Sequence, residues 1–312
     1  MTAKEFLIAT STIKLLQNFV ENHSAEEITT IISNIMGISK TTLASNPMGG
    51  YCRVKNSDGT FSKGSGVYAV VLQDVKQNIH EYVKVYESLM DDISCKIFMN
   101  QMLFRLLPSM DFIKMSYELS NKYPQYFDLD IIKFSNNEVF ADCGGFTGDT
   151  AEEFIKQCSK YKRVYIYEPL ASNISKCEEN LKNFENIIIR QAGVGLETSS
   201  YGFSGGGSSG SFASFDNEQE SESFDVVSLD DDIKEDITFI KMDVECFEPM
   251  AIQGAMGHLQ KKNPPKLAIC LYHMVSDLWE IPKLIHSINS EYKFYLRHYD
   301  NRQNWEYVLY GV

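Results

Sequence analysis

The spacing of apolar residues changes character near residue 130. Upstream it follows a helical period: Lys4–Val20 and Ala25–Ile35 predict two helices, and Ile79, Val83, Tyr86, Met90 and Ile93 carry helical spacing through residues 74–122. Ser39–Gly50 is a polar connector, and a hairpin is predicted over 51–72, from a strand Tyr51–Lys55 through the turn Asn56-Ser-Asp-Gly59 to a second strand Val67–Leu72. Downstream, short apolar runs alternate with amphipathic stretches. Strands are expected at 138–143, 163–168, 186–192, 237–244, 266–272, 293–299 and 306–311. Between them Ala151, Phe154, Ile155 and Cys158 share a helical face, as do Ile174, Cys177 and Leu181, and, beyond Pro249, Ile252, Ala255, Met256 and Leu259. This alternation predicts an α/β fold with a mainly parallel sheet. Only Asp300–Asn304 separates the last two runs, too short for a parallel crossover, so they must close the sheet as an antiparallel hairpin.

The pattern divides the chain into a mainly helical region, residues 1–130, and an α/β domain, residues 131–312. The helical region is expected to cap the domain or to mediate homo-oligomers; the plainer alternative is that its apolar residues simply pack on the domain. Composition narrows the partners. With 29 Lys+Arg against 42 Asp+Glu, a net charge of −13 and no basic run or helix face, nucleic acid and anionic membrane fit poorly. The 7 cysteines are scattered without a C-x-x-C pair, a reduced, cytoplasmic pattern without a zinc site. Near the N-terminus only Phe6–Ala9 is continuously apolar, so neither a signal peptide nor a membrane span is expected.

The most informative stretch is Val139-Phe-Ala-Asp-Cys-Gly-Gly-Phe-Thr-Gly-Asp-Thr150. It reads as a buried strand ending in an acid, a turn through Gly144, Gly145 and Gly148, and a helix capped by Asp149 or Thr150. About 20 residues further on, where an acid meets a ribose in doubly wound sheets, Arg163-Val-Tyr-Ile-Tyr-Glu-Pro169 ends in Glu168. A dinucleotide fingerprint would need glycine where Cys143 stands. Asp142-x-Gly144-x-x-x-Gly148 instead matches the acid-plus-glycine pattern of S-adenosylmethionine-dependent methyltransferases, which a parallel sheet closed by an antiparallel C-terminal hairpin also suits better than a nicotinamide domain. Two rivals stay open. A nicotinamide oxidoreductase is disfavoured by Cys143 and the terminal hairpin, and a non-catalytic scaffold of the same fold by the intact acids at the strand ends.

Ligands of open α/β sheets bind beyond the carboxyl ends of the strands, so Asp142, Glu168, Asp243, Glu245 and His273 should converge on one crevice. Methyl transfer requires alignment of the acceptor and, for a hydroxyl, removal of its proton. His273 is the candidate base, with Asp243 and Glu245 on one side of their strand beside it; a core histidine bonded to backbone is its other reading. The same three residues could instead hold a divalent metal, a reading their spacing does not favour. Arg297 and His298 are candidate acceptor ligands. Ser199–Ser214, with five glycines, is a flexible linker or a lid, and the acids of Glu218–Asp236 form a solvated face from which only Asp230 stands out.

Together Val139–Thr150, Tyr167-Glu-Pro169, Ser228-Leu-Asp230, Phe239-Ile-Lys-Met-Asp-Val-Glu245 with Glu248, Leu271-Tyr-His273, Asp277-Leu-Trp-Glu-Ile-Pro282, Tyr295-Leu-Arg-His-Tyr299 and Tyr307-Val-Leu-Tyr310 resemble the FkbM-type methyltransferases over about residues 85–312. The resemblance implies a class I Rossmann-like methyltransferase sheet for the seven strands, S-adenosylmethionine as donor, and O-methylation of sugars or other secondary-metabolite hydroxyls. It also implies that Asp142, Gly144, Gly145 and Gly148 cradle the methionine end and Glu168 the ribose, with Asp243 also against the cofactor. Where the family typically has glycine after Asp-Val-Glu this chain has Cys246, and where it often has alanine, Gly145.

Overall fold

The computed structural model describes residues 1–48, 53–55, 61–63, 67–158, 160–204, 212–214 and 223–312. Its main sheet has seven strands: β1 Glu138–Cys143, β2 Tyr161–Tyr167, β3 Ile187–Arg190, β4 Phe239–Met242, β5 Lys266–Cys270, β6 Phe294–His298 and β7 Tyr307–Gly311. Each coincides with a predicted run. The spatial order is β6-β7-β5-β4-β1-β2-β3, with β1 to β5 parallel and β7 antiparallel to both β5 and β6. This is an α/β fold of the methyltransferase type. The order reverses at β1 and β4, which places a crevice at their carboxyl ends.

Alternate residues of each strand feed opposite faces. Val139, Ala141, Tyr165, Ile240, Met242 and Leu309 join one core, while Phe140, Val164, Ile166, Phe239, Val308 and Tyr310 join the other. The first core runs on without interruption into Phe6, Leu16, Ile28, Val75, Ile97 and Ile113 of the N-terminal helices. The second is covered by helices Asp149–Gln157 and Ala171–Leu181 and by Tyr126, Phe127 and Ile132.

The N-terminal region departs from its predicted outline in three places. Lys4–Val20 is two helices, Ala3–Ala9 and Ile13–Asn22, because Thr12 caps the second by accepting from Leu15 N at 3.3 Å. The connector contains a short helix, Lys40–Ala44. Arg53–Lys55 does pair antiparallel, but with Phe61–Lys63; the expected turn at 56–59 lies outside the described residues. Residues 67–72 open helix Val67–Ser88, which is kinked at Asn78, instead of forming a strand, since Tyr68, Val71 and Val75 follow a helical period that buries all three. Helices Asp92–Leu106 and Met110–Ser120 complete the layer. Among the described residues no helix is long and apolar enough to cross a membrane.

The glycine-serine segment contributes to a second sheet. Ser199–Ser204 pairs antiparallel with Phe212–Ser214 and with Ser223–Val227, and Gly193–Val194 runs parallel to the latter. Most of its glycines fall in 205–211, outside the described residues, and so does the lid question. Asp230 accepts from Gly257 N at 2.6 Å and His258 N at 3.1 Å, fixing the start of helix Met256–Leu259.

Candidate active site

After β1 the chain turns at once through Gly144 and Gly145, whose N–H groups donate to Tyr167 O at 3.0 and 2.9 Å and dock the turn on β2. Gly144 has φ +82, and a Cβ there would lie 1.9 Å from the Asp243 carbonyl oxygen, so only glycine allows the ends of β1 and β4 to approach this closely. Gly148, rather than Asp149 or Thr150, is the N-cap of helix Asp149–Gln157 and gives it no side-chain cap. The turn and the ends of β2 and β4 border a cavity of about 320 Å³. Of the predicted residues Gly144, Glu168, Asp243 and Glu245 line it.

Glu168 is fixed by three donors: Phe146 N at 3.0 Å, Leu170 N at 2.9 Å and Asn173 Nδ2 at 3.2 Å. Burial nevertheless leaves its carboxyl above the ordinary range. Asp142 lies beneath the turn rather than in the cavity, fully buried and 3.1 Å from Lys241 Nζ. Burial lifts Asp142 to about 6 against the pull of Lys241. Lys241 in turn donates to Gly144 O at 2.6 Å. Burial disfavours its charge, yet Asp142 and Asp243 hold its ammonium above the ordinary lysine value. Asp142 thus acts on the turn through Lys241.

Asp243 accepts from Tyr126 OH at 2.9 Å and from Tyr272 OH at 3.1 Å, and His273 Nε2 lies 3.3 Å away. Burial pushes its carboxyl up, but His273, Lys241 and the two hydroxyls win and hold it below the ordinary value. His273 is 1% exposed, with Nδ1 2.9 Å from Glu248 and Nε2 3.7 Å from Glu245. Burial alone would lower its pKa; Glu248, then Asp243 and Glu245, push it up to about 10. The three carboxylates around the ring favour its protonated form over the neutral one that a base requires, and His273 does not itself line the cavity. Asp243, Glu248 and His273 place donor atoms within 4.8 Å of one another.

Arg297 and His298 belong elsewhere. Both are buried and neither lines the cavity. Arg297 binds Asp91 and Asp128, each at 2.7 Å, pinning the N-terminal helices to β6, and His298 stacks on Tyr307 at 4.1 Å.

Sequence reasoning missed Lys241, Glu248, Tyr272, Gln125, Tyr126 and Glu306. The first three sit inside or beside the motifs, where their residue types were a signal. Gln125, Tyr126 and Glu306 carry none, yet all three line the cavity. Glu306 accepts from Gln125 Nε2, and burial, then Asp243, push its carboxyl up to about 7.

A seven-stranded sheet of this order with acids at a glycine turn defines a methyltransferase fold. The family model for the methyltransferase FkbM domain matches residues 142–301, and the chain belongs to that family. An FkbM methyltransferase from Methylobacillus flagellatus KT is 27% identical with a TM-score of 0.66, over 80% of this chain and 63% of that one. The chain therefore spans less than two thirds of that relative. Weaker likenesses include fibrillarin from Aeropyrum pernix with bound S-adenosyl-L-methionine, 12% identical, TM-score 0.37, covering 58% of this chain and 70% of that one. Another is SMU.1697c, a methyltransferase-like protein from Streptococcus mutans in complex with SAH, 12% identical, TM-score 0.34, covering 58% and 91%. Comparison with curated proteins yields no match.

Proposed function

We propose that this methyltransferase uses S-adenosylmethionine to methylate a hydroxyl of a carbohydrate, free or nucleotide-linked, in surface-glycan assembly. The observation that carries the donor is the pairing, in one cavity, of Glu168 and Asp243 on either side of the Gly144 backbone. Glu168 suits the ribose diol, the turn held by Lys241 and Asp142 suits the methionine end, and the low-pKa Asp243 suits a neighbouring positive charge. When bound, S-adenosylmethionine supplies a methyl group on cationic sulfur that leaves as a neutral thioether. The chain's own residues must orient the acceptor and manage its proton. Asp243, aimed by Tyr126, Tyr272 and His273, together with Glu245 orients acceptor hydroxyls; His273 acts by holding Asp243 charged and in place. The acceptor class rests on the family resemblance. The carboxylates Asp243, Glu245 and Glu306 favour an entering end rich in hydroxyls and free of phosphate, so any nucleotide would remain outside.

Calorimetric titration with S-adenosylhomocysteine, with NADH in parallel, tests the donor. Affinity on the order of micromolar, weakened at least about tenfold by Glu168→Ala, is expected. Binding of NADH alone would transfer the cavity to an oxidoreductase, and an unaffected Glu168→Ala would remove Glu168 from the ribose.

A further inference from the structure

His273 is buried and does not line the cavity, and Asp243 is engaged by two tyrosine hydroxyls, so the acceptor's proton needs another destination. We infer that Glu306 is the general base of the transfer, an assignment that rests on the hydroxyl-acceptor reading. Glu306 lines the same cavity as Asp243, Tyr126 and Gly144, although it comes from the hairpin that closes the sheet. Its backbone is held at φ 59, where non-glycine residues are rarely found, and its carbonyl accepts from Tyr299 N at 3.1 Å just before β7 begins. Gln125 Nε2 donates to Oε2 and fixes the side chain from the opposite part of the sequence. A strained residue, pinned by backbone and side chain and aimed into a cavity, is placed for a purpose beyond packing.

Among the cavity carboxylates Glu168 is held by Phe146 N, Leu170 N and Asn173 Nδ2, Asp243 is held by Tyr126, Tyr272 and His273, and Glu245 lies 3.7 Å from the His273 imidazole. Glu306 has one fixed donor, from Gln125, and burial, then Asp243, push its carboxyl up to about 7, the range that suits a base. Burial raises its proton affinity most, followed by Asp243 and, more weakly, Asp300, while the Gln125 hydrogen bond and His273 lower it; Tyr126, Cys270 and Tyr272 also face it. In the step itself the acceptor oxygen bonds to the methyl carbon, the electron pair of the broken carbon–sulfur bond stays on sulfur, and Glu306 takes the hydroxyl proton and returns it to solvent after product leaves.

The test follows tritiated methyl transfer from S-adenosylmethionine to a panel of neutral methyl glycosides. Glu306→Ala should lower kcat at least about 100-fold, with S-adenosylhomocysteine affinity within about threefold of the parent, and added formate or acetate should restore part of the rate. The parent should show an acid limb in kcat/KM near pH 7, absent in Glu306→Gln. Loss of rate without rescue, or a Glu306→Gln enzyme that keeps both rate and limb, overturns the assignment. If the parent binds S-adenosylhomocysteine yet methylates none of the glycosides, the hydroxyl-acceptor reading falls, and Glu306 as its base with it.

Discussion

Lys241 on β4 and Arg297 on β6 are both cations buried within the sheet, 2% and 3% exposed, and each is matched by carboxylates. Their surroundings separate them. Lys241 holds the glycine turn through Gly144 O and reaches the cavity; Arg297 ties Asp91 and Asp128 of the N-terminal region to an outer strand. A charge inside a sheet therefore says only that a partner exists. What it organises has to be read from the elements its partners belong to, and β4 adjoins the crevice where β6 does not.

Removing either cation should strand buried carboxylates and cost about 3–5 kcal/mol of stability in urea denaturation. Ligand binding should then split the pair: Lys241→Met loses S-adenosylhomocysteine affinity at least about tenfold, and Arg297→Met leaves it unchanged. Equal effects on binding would erase the distinction drawn above. A second, smaller effect concerns His273. Its folded pKa, about 10, lies above the unfolded value, so its contribution is complete below the unfolded pKa and is lost as pH rises through 10. Stability should decline by a few kcal/mol between about pH 6.5 and 10, and His273→Gln should flatten that slope. A slope that survives the substitution would assign it to another group.

The smallest effect tests the turn beside Asp243. Glu245 and Cys246 have φ 54 and 83, both left-handed, which explains in backbone terms why glycine suits the position after Asp-Val-Glu. Cys246→Gly should stay within about 1 kcal/mol of the parent, relief of strain offsetting loss of the buried Sγ, whereas Cys246→Val should cost about 1–2 kcal/mol. Thermal melts of the two variants side by side would show whether this order holds.

The main sheet was legible because its strands are short apolar runs bounded by turn residues, and the five-residue link Asp300–Asn304 dictated the antiparallel close. Errors arose where two periods compete. Val67–Leu72 satisfies a strand pattern over six residues, yet Tyr68, Val71 and Val75 also start a helical period that runs past it, and the helix forms. The break at Thr10–Thr12 was hidden because helical spacing persists across it. In the site, acids at strand ends were visible, but the protonation of His273 depends on Glu248, which becomes its neighbour only when helix Glu248–Gln253 folds back after β4. Gln125 and Glu306 meet across 181 positions of sequence, a contact that no local pattern could announce.

Tyr126 lies upstream of the α/β strands, yet its hydroxyl is one of the two that aim Asp243. A fragment trimmed to start at 131 would keep every glycine and acid of the motifs and still lack one wall of its cavity. For anyone building chimeras from such proteins, the useful cut lies upstream of Gln125: a lead-in exchanged without regard to that segment would bring a foreign lining to the cavity beside Asp243.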